Sequence, residues 1–175
     1  MKKQTPNSYP DLVNLVRGTV LNACINLEVI MDLYISERFA DTNDKINELS
    51  SLVITPRVTW GEKLKILKLL MVKYHPKFVE DKSEVFSNIK RIIEHRTVFA
   101  HYPVRLSEQA IKIYNEEGKI LFTKIRATLN EKDKKNKEVI YGENAFYTND
   151  KINEIIKGCN YCIKEIKPLL RTIKK

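Results

Sequence analysis

Arg96 and His101 stand five residues apart in the run Arg91-Ile-Ile-Glu-His-Arg96-Thr-Val-Phe-Ala-His101-Tyr-Pro103. A guanidinium carries a permanent charge and fixed donors that fit phosphate oxygens. An imidazole exchanges protons near neutrality. Together they supply what cleavage of RNA by its own 2′-hydroxyl requires: proton transfer, and donors for the negative charge that builds on phosphorus. Neither step calls for a metal or a cofactor, so none is expected. His75, His95 and His101 also lack the spacing of a helical metal pair.

The apolar residues before this pair define the element that carries it. Val85, Phe86, Ile89, Ile92, Ile93 and Phe99 step by three and four, which predicts a helix over about 82–101, capped by Asp81 or Ser83 and stopped by Pro103. At ~100° per residue, Arg96 and His101 project about 140° apart on a regular helix. The expectation is therefore that they converge through fraying at His101, or across two copies of the chain.

The remaining elements follow from the same patterns. Leu12, Val13, Val16, Val20, Cys24, Leu27, Met31, Tyr34 and Phe39 predict a long first helix over about 11–39, entered at Pro10. Its polar face holds Asn14, Arg17, Asn22, Glu28 and Asp32. Glu28 and Asp32 read either as positioning groups for Arg96 or as ordinary polar-face residues. Residues 40–58 are turn-rich, with a helical turn near Ile46–Leu52. Thr59-Trp-Gly-Glu62 is a capping box. It opens a helix to about Lys73 that buries Leu64, Leu67, Leu70 and Met71 and points Lys63, Lys65, Lys68 and Lys73 outward, with Trp60 as an anchor at its start.

Beyond Pro103 the period changes to two. Ala110–Tyr114 and Lys119–Arg126 alternate around an Asn115–Gly118 turn, which predicts a hairpin. Glu131–Glu138 reads as a solvated loop, and Glu138–Tyr141 with Ala145–Tyr147 as a third strand. A final helix over about 150–173, capped by Thr148 or Asn149, carries Ile152, Ile155, Cys159, Cys162, Ile166 and Leu170 on one stripe, with a kink at Pro168. The fold class is thus mostly α: an up-and-down helical bundle, one domain over 1–175, with a small β-hairpin or three-strand insertion at about 108–148.

Composition narrows the function classes. Three cysteines argue against a disulfide framework, and Cys159-x-x-Cys162 lies on an apolar helix face with no second pair, which reads as buried thiols. No apolar run suggests a bilayer span, and Met1-Lys-Lys-Gln-Thr-Pro has no apolar stretch behind it. A cytoplasmic protein with no membrane partner is expected. The net charge of +9 is concentrated in residues 57–77, with six basic and one acidic residue, and in 151–175, with seven and two. A polyanion such as RNA is a natural partner for such surfaces.

Arg96-Thr-Val-Phe-Ala-His101 resembles the signature of HEPN domains, an Arg and a His separated by four to six residues, often as Arg-Asn-x-x-Ala-His. Phe99 and Ala100 match that pattern. The long first helix, the motif at the end of a later helix and the closing amphipathic helix resemble the family's bundle. The resemblance implies a metal-independent endoribonuclease, a toxin or phage-defence effector, that leaves 2′,3′-cyclic phosphate ends. It implies a homodimer whose two motifs face one another across a cleft, with Arg96 and His101 as the catalytic pair and an antitoxin protein as a partner. Thr97 takes the polar position where the family prefers Asn, Asp or His, and Tyr102 stands ready to stack on a base. Pro103 occupies the position where one subfamily has a regulatory Tyr, so that regulation is not carried over. The alternative is a non-catalytic helical module that binds RNA, a nucleotide or a partner protein through the same cleft.

Overall fold

The computed structural model describes residues 8–129 and 137–171. The chain is mostly α with one β-hairpin before the last helix, as the periodicity predicts. In order, the elements are α1 (Tyr9–Ser36), α2 (Asn43–Leu49), a π-helical turn (Ser50–Ile54), α3 (Thr55–Arg57), α4 (Trp60–Tyr74), α5 (Pro76–Asp81) and α6 (Ser83–His101). Then come α7 (Glu108–Glu117), β1 (Lys119–Leu129), β2 (Lys137–Thr148), α8 (Asn149–Ile166) and a 3-10 turn (Lys167–Leu169). These fall into two compact units, each discontinuous in sequence: residues 1–21 with 96–154, and residues 22–95 with 155–175.

The second unit is a helical bundle built on α1, α4, α6 and α8. Cys24, Leu27, Met31 and Ile35 of α1 are buried, as are Leu67 and Met71 of α4, Val85, Ile89 and Ile92 of α6, and Cys159, Cys162 and Ile166 of α8. The capping box forms as expected: Glu62 N–H donates to Thr59 Oγ1 at 3.3 Å, and Thr59 N–H donates to Glu62 Oε2 at 3.0 Å. The three cysteines are free and buried. Burial pushes the Cys162 thiol up to about 12, and a hydrogen bond with Cys24 lowers that of Cys159.

Four expectations are corrected here. Lys63 does not point outward. It is fully buried, with Nζ 2.6 Å from Glu28 Oε1 and 2.9 Å from Asp32 Oδ2, and Thr55 Oγ1 donates to Asp32 at 2.8 Å. Burial raises the Asp32 carboxyl above its usual range despite these bonds. α1 ends at Ser36, and Phe39 is 66% exposed rather than part of the stripe. α8 ends at Ile166 because Pro168 has no N–H to continue the ladder, so residues 167–169 tighten into the 3-10 turn. Finally, α1 is long and apolar enough to cross a bilayer by length and composition. However, it carries Asp32, buried, and Glu28, half-buried, both engaged by the buried Lys63.

The first unit contains the start of α1, the last turns of α6, α7, the hairpin and the start of α8. The expected strand at Ala110–Tyr114 is instead helix α7. Ser107 caps it, accepting from Ala110 N–H at 3.3 Å, and Gly118 ends it at φ +62°, a left-handed conformation that favours glycine. The strand expected at Glu138–Tyr141 and Ala145–Tyr147 forms as β2, and it is the second of two because Ala110–Tyr114 is helical. β1 and β2 pair antiparallel from Lys119↔Thr148 to Leu129↔Lys137, with an irregularity between Thr123 and Ile125. Most of the expected solvated loop, residues 130–136, lies outside the described residues. The other edge of β1 takes up the segment after α6. Thr123 N–H donates to Pro103 O at 3.0 Å and Arg105 N–H to Leu121 O at 3.1 Å, around a single bridge Val104↔Phe122.

Candidate active site at the end of α6

α6 stays helical through His101, and Tyr102 N–H still donates to Val98 O at 3.0 Å. Even so, Arg96 Nη1 lies 3.3 Å from His101 Nε2. The expected divergence is bridged by the reach of the arginine stem, without fraying and within one chain. A guanidinium only donates, so the contact uses the lone pair of Nε2 and places the imidazole proton on Nδ1. His101 and Thr97 are exposed, while Arg96 and Tyr102 are half-buried. The structure therefore brings Arg96 and His101 together at the surface, with Thr97 and Tyr102 in the same last turn.

What holds that turn in place is aromatic. Phe99 points inward between Phe122 of β1 and Tyr147 of β2, with ring centroids 4.8 and 4.7 Å away, and the latter two lie 5.5 Å apart. Edge-to-face packing of three large rings fixes the rotation of α6 about its axis, and with it the direction of residues 96 and 101. Burial, with a smaller contribution from the neighbouring Tyr102 phenol, pushes the Tyr147 phenol up to about 12.

Two arginines enter the neighbourhood that spacing alone does not single out. Arg17 of α1 donates from Nη2 to the Tyr102 carbonyl at 2.6 Å, and its guanidinium lies 5.6 Å from the centre of the Phe122 ring. The last carbonyls of a helix lack intrahelical partners and carry its negative end, so a cation there both satisfies the group and complements the dipole. Arg105 Nε donates to Thr123 Oγ1 at 3.1 Å, and that hydroxyl donates to Asn144 Oδ1 at 3.1 Å. Arg17 is 85 positions from its partner, and in the sequence it is one of several polar-face residues. No spacing rule could have found it.

Glu28 and Asp32 hold Lys63, which settles what those two carboxylates do. A second arginine–histidine contact lies in the bundle unit, where Arg38 Nη2 is 3.1 Å from His75 Nε2. Among the described residues, no group of three His, Cys, Asp or Glu side chains is placed to hold a metal ion. The site at the end of α6 thus offers fixed donors for a phosphate from Arg96 and a reachable imidazole for proton transfer. Comparison with family models, curated proteins and solved structures finds no match to this chain.

Proposed function

We propose that the chain is a metal-independent endoribonuclease of HEPN type, with Arg96 and His101 as its catalytic residues. The observation that carries this reading is the 3.3 Å Arg96–His101 contact on an exposed helix end. When Arg96 turns from His101 to the phosphate, Nε2 of His101 is freed and accepts the proton of a ribose 2′-hydroxyl as its oxygen attacks the adjacent phosphorus. The O2′–P bond forms and the P–O5′ bond breaks, leaving a 2′,3′-cyclic phosphate and a 5′-hydroxyl. Arg96 donates to the non-bridging oxygens, whose charge is greatest in the transition state. Thr97 and Tyr102 line the same turn, as a hydrogen-bonding group and as a ring on which a base stacks.

The departing 5′-oxygen needs a proton as the 2′-oxygen loses one. One imidazole cannot take and give in the same step, so a second histidine is useful. The homodimer of this reading supplies it, as the His101 of a second copy. The reason for two copies is thus the number of protons moved, since one chain already pairs the Arg with the His. A cytoplasmic toxin or defence effector, restrained by an antitoxin protein, fits an exposed nuclease site of this kind.

The test is RNA cleavage in EDTA by purified protein, with product ends identified by mass spectrometry. Arg96→Ala and His101→Ala are each expected to remove cleavage. RNA that stays intact with the parent protein, or is bound without being cut, supports a binding module instead.

A further inference from the structure

One face of α4 is both apolar and strongly basic. Leu69 is 71% exposed and Val72 50%. At ~100° per residue, Lys65, Leu69 and Val72 share an arc of about 60°, flanked by Lys68 on one side and Lys73 on the other. At the N-terminal end of this face is a shallow, open concavity of about 360 Å³ lined by Arg57, Val58, Glu62, Lys65 and Ile66. Glu62 is the one acidic residue in 57–77. Its carboxylate is taken up by hydrogen bonds from the Thr59 hydroxyl and amide, which hold its pKa below the usual carboxylate range. Among the described residues, no ion pair engages Arg57, Lys65, Lys68 or Lys73.

Four occupants can be compared by their chemistry. A phosphodiester backbone would engage the lysines but gain nothing from covering Leu69 and Val72. A bilayer surface would meet the lysines and leucine but offers no side chain to fill the depression beside Ile66. A second copy of the chain, with a net charge of +9 overall, complements such a face less well than an acidic partner. A helix with apolar residues on one stripe and carboxylates beside it satisfies all three features at once.

We propose that this face of α4 docks an acidic amphipathic helix of a partner protein. Its carboxylates pair with Lys65, Lys68 and Lys73, its apolar stripe covers Leu69 and Val72, and one large apolar side chain enters the concavity between Arg57 and Ile66. Steering by opposite charge makes association fast and salt-sensitive, and burial of the apolar stripe makes it last. This assignment does not depend on the nuclease reading.

The experiment uses the full chain and a fluorescein-labelled synthetic helix with leucines at every third or fourth position and glutamates between them, read by fluorescence anisotropy. The same peptide with lysine for glutamate, a single-stranded RNA and phosphatidylglycerol vesicles serve as comparators. The acidic peptide is expected to bind with a Kd of tens of micromolar or tighter, a range typical of short helical ligands at roughly −6 to −8 kcal/mol. Raising the salt should weaken it. The exposed double variant Lys65→Glu with Leu69→Asp should weaken it at least tenfold while leaving far-ultraviolet circular dichroism and the thermal unfolding midpoint unchanged. The proposal is overturned if the acidic peptide fails to bind at about 1 mM, or binds the double variant equally well. It is also overturned if RNA, vesicles or a second copy is the ligand whose binding the double variant removes.

Discussion

The two arginine–histidine contacts in this chain have nearly the same length and opposite surroundings. Arg96 and His101 meet at 3.3 Å on one helix, and His101 is exposed. Arg38 and His75 meet at 3.1 Å from different parts of the bundle unit, and the same Arg38 nitrogen also donates to Leu169 O at 3.2 Å. The Arg38 guanidinium lies 4.5 Å from the Tyr34 ring centre and 5.1 Å from that of Tyr74, and the His75 ring packs 6.0 Å from Tyr34. Closeness of the two groups does not make a site. Arg38 is spent on rings and on a carbonyl near the chain's end, whereas Arg96 and His101 face a surface that a phosphate can reach.

That contrast predicts a separation of effects, and its largest arm is catalytic. Arg96→Ala and His101→Ala should each lower the cleavage rate by on the order of 10²–10⁴ while moving the unfolding midpoint little. Arg38→Ala and His75→Ala should leave the rate per folded molecule unchanged. Arg38→Ala should lower stability by about 2–4 kcal/mol, the sum of a desolvated cation–π contact and hydrogen bonds to partners left unsatisfied. Urea denaturation beside single-turnover kinetics reads both quantities, and a rate loss in Arg38→Ala would erase the distinction.

The buried cation of the bundle comes next. Lys63→Ala leaves the buried Asp32 without its counter-charge and should cost about 3–5 kcal/mol. Lys63→Met with Glu28→Gln and Asp32→Asn should recover much of that, since a neutral set needs no counter-charge. Equal destabilisation in both would show that a neutral set of similar volume does not replace the ion pairs.

Arg17 sharpens the comparison from the other side, as a positioning residue that acts through the Tyr102 carbonyl. Arg17→Ala should lower kcat roughly tenfold, the scale of a modest misplacement of a catalytic group, with KM nearly unchanged. Arg17→Lys, which keeps the charge and loses the planar fork, should recover part of it. A change confined to KM would place Arg17 on the substrate instead.

The smallest effect is alkaline. The Tyr147 phenol is pushed up to about 12 by burial, whereas an unfolded tyrosine titrates near ~10. Between those values the folded chain keeps a proton that the unfolded chain has released, so stability falls as pH rises through this window. Tyr147→Phe should flatten that fall in thermal scans between pH 10 and 12.

The sequence was informative wherever the signal was local. The stripes of α1, α6 and α8, the Thr59–Glu62 capping box and the stop at Pro103 all involve residues a few positions apart, and they formed as their chemistry requires. The failures are of two kinds. In α7, Ala110-Ile-Lys-Ile-Tyr114 fits a strand period and a helical one equally. The deciding signals were Ser107 before it and Gly118 after it, a cap and a left-handed terminator that outweigh a five-residue alternation. Lys63 and Arg17 are different. Their partners lie 31, 35 and 85 positions away, so only the fold reveals that one lysine in a basic helix is a core residue, or that one polar-face arginine closes the end of α6. The candidate pair itself was readable, but its geometry was not, because helical projection angles say nothing about how far a guanidinium reaches.

The most direct measurement is on the products of a single defined RNA. Incubated in EDTA with the purified protein, it should yield fragments ending in 2′,3′-cyclic phosphate, and His101→Ala protein of equal circular dichroism should yield none. Intact RNA with the parent protein, or the same cyclic-phosphate ends with the variant, would contradict the assignment of the Arg96–His101 contact as an active site.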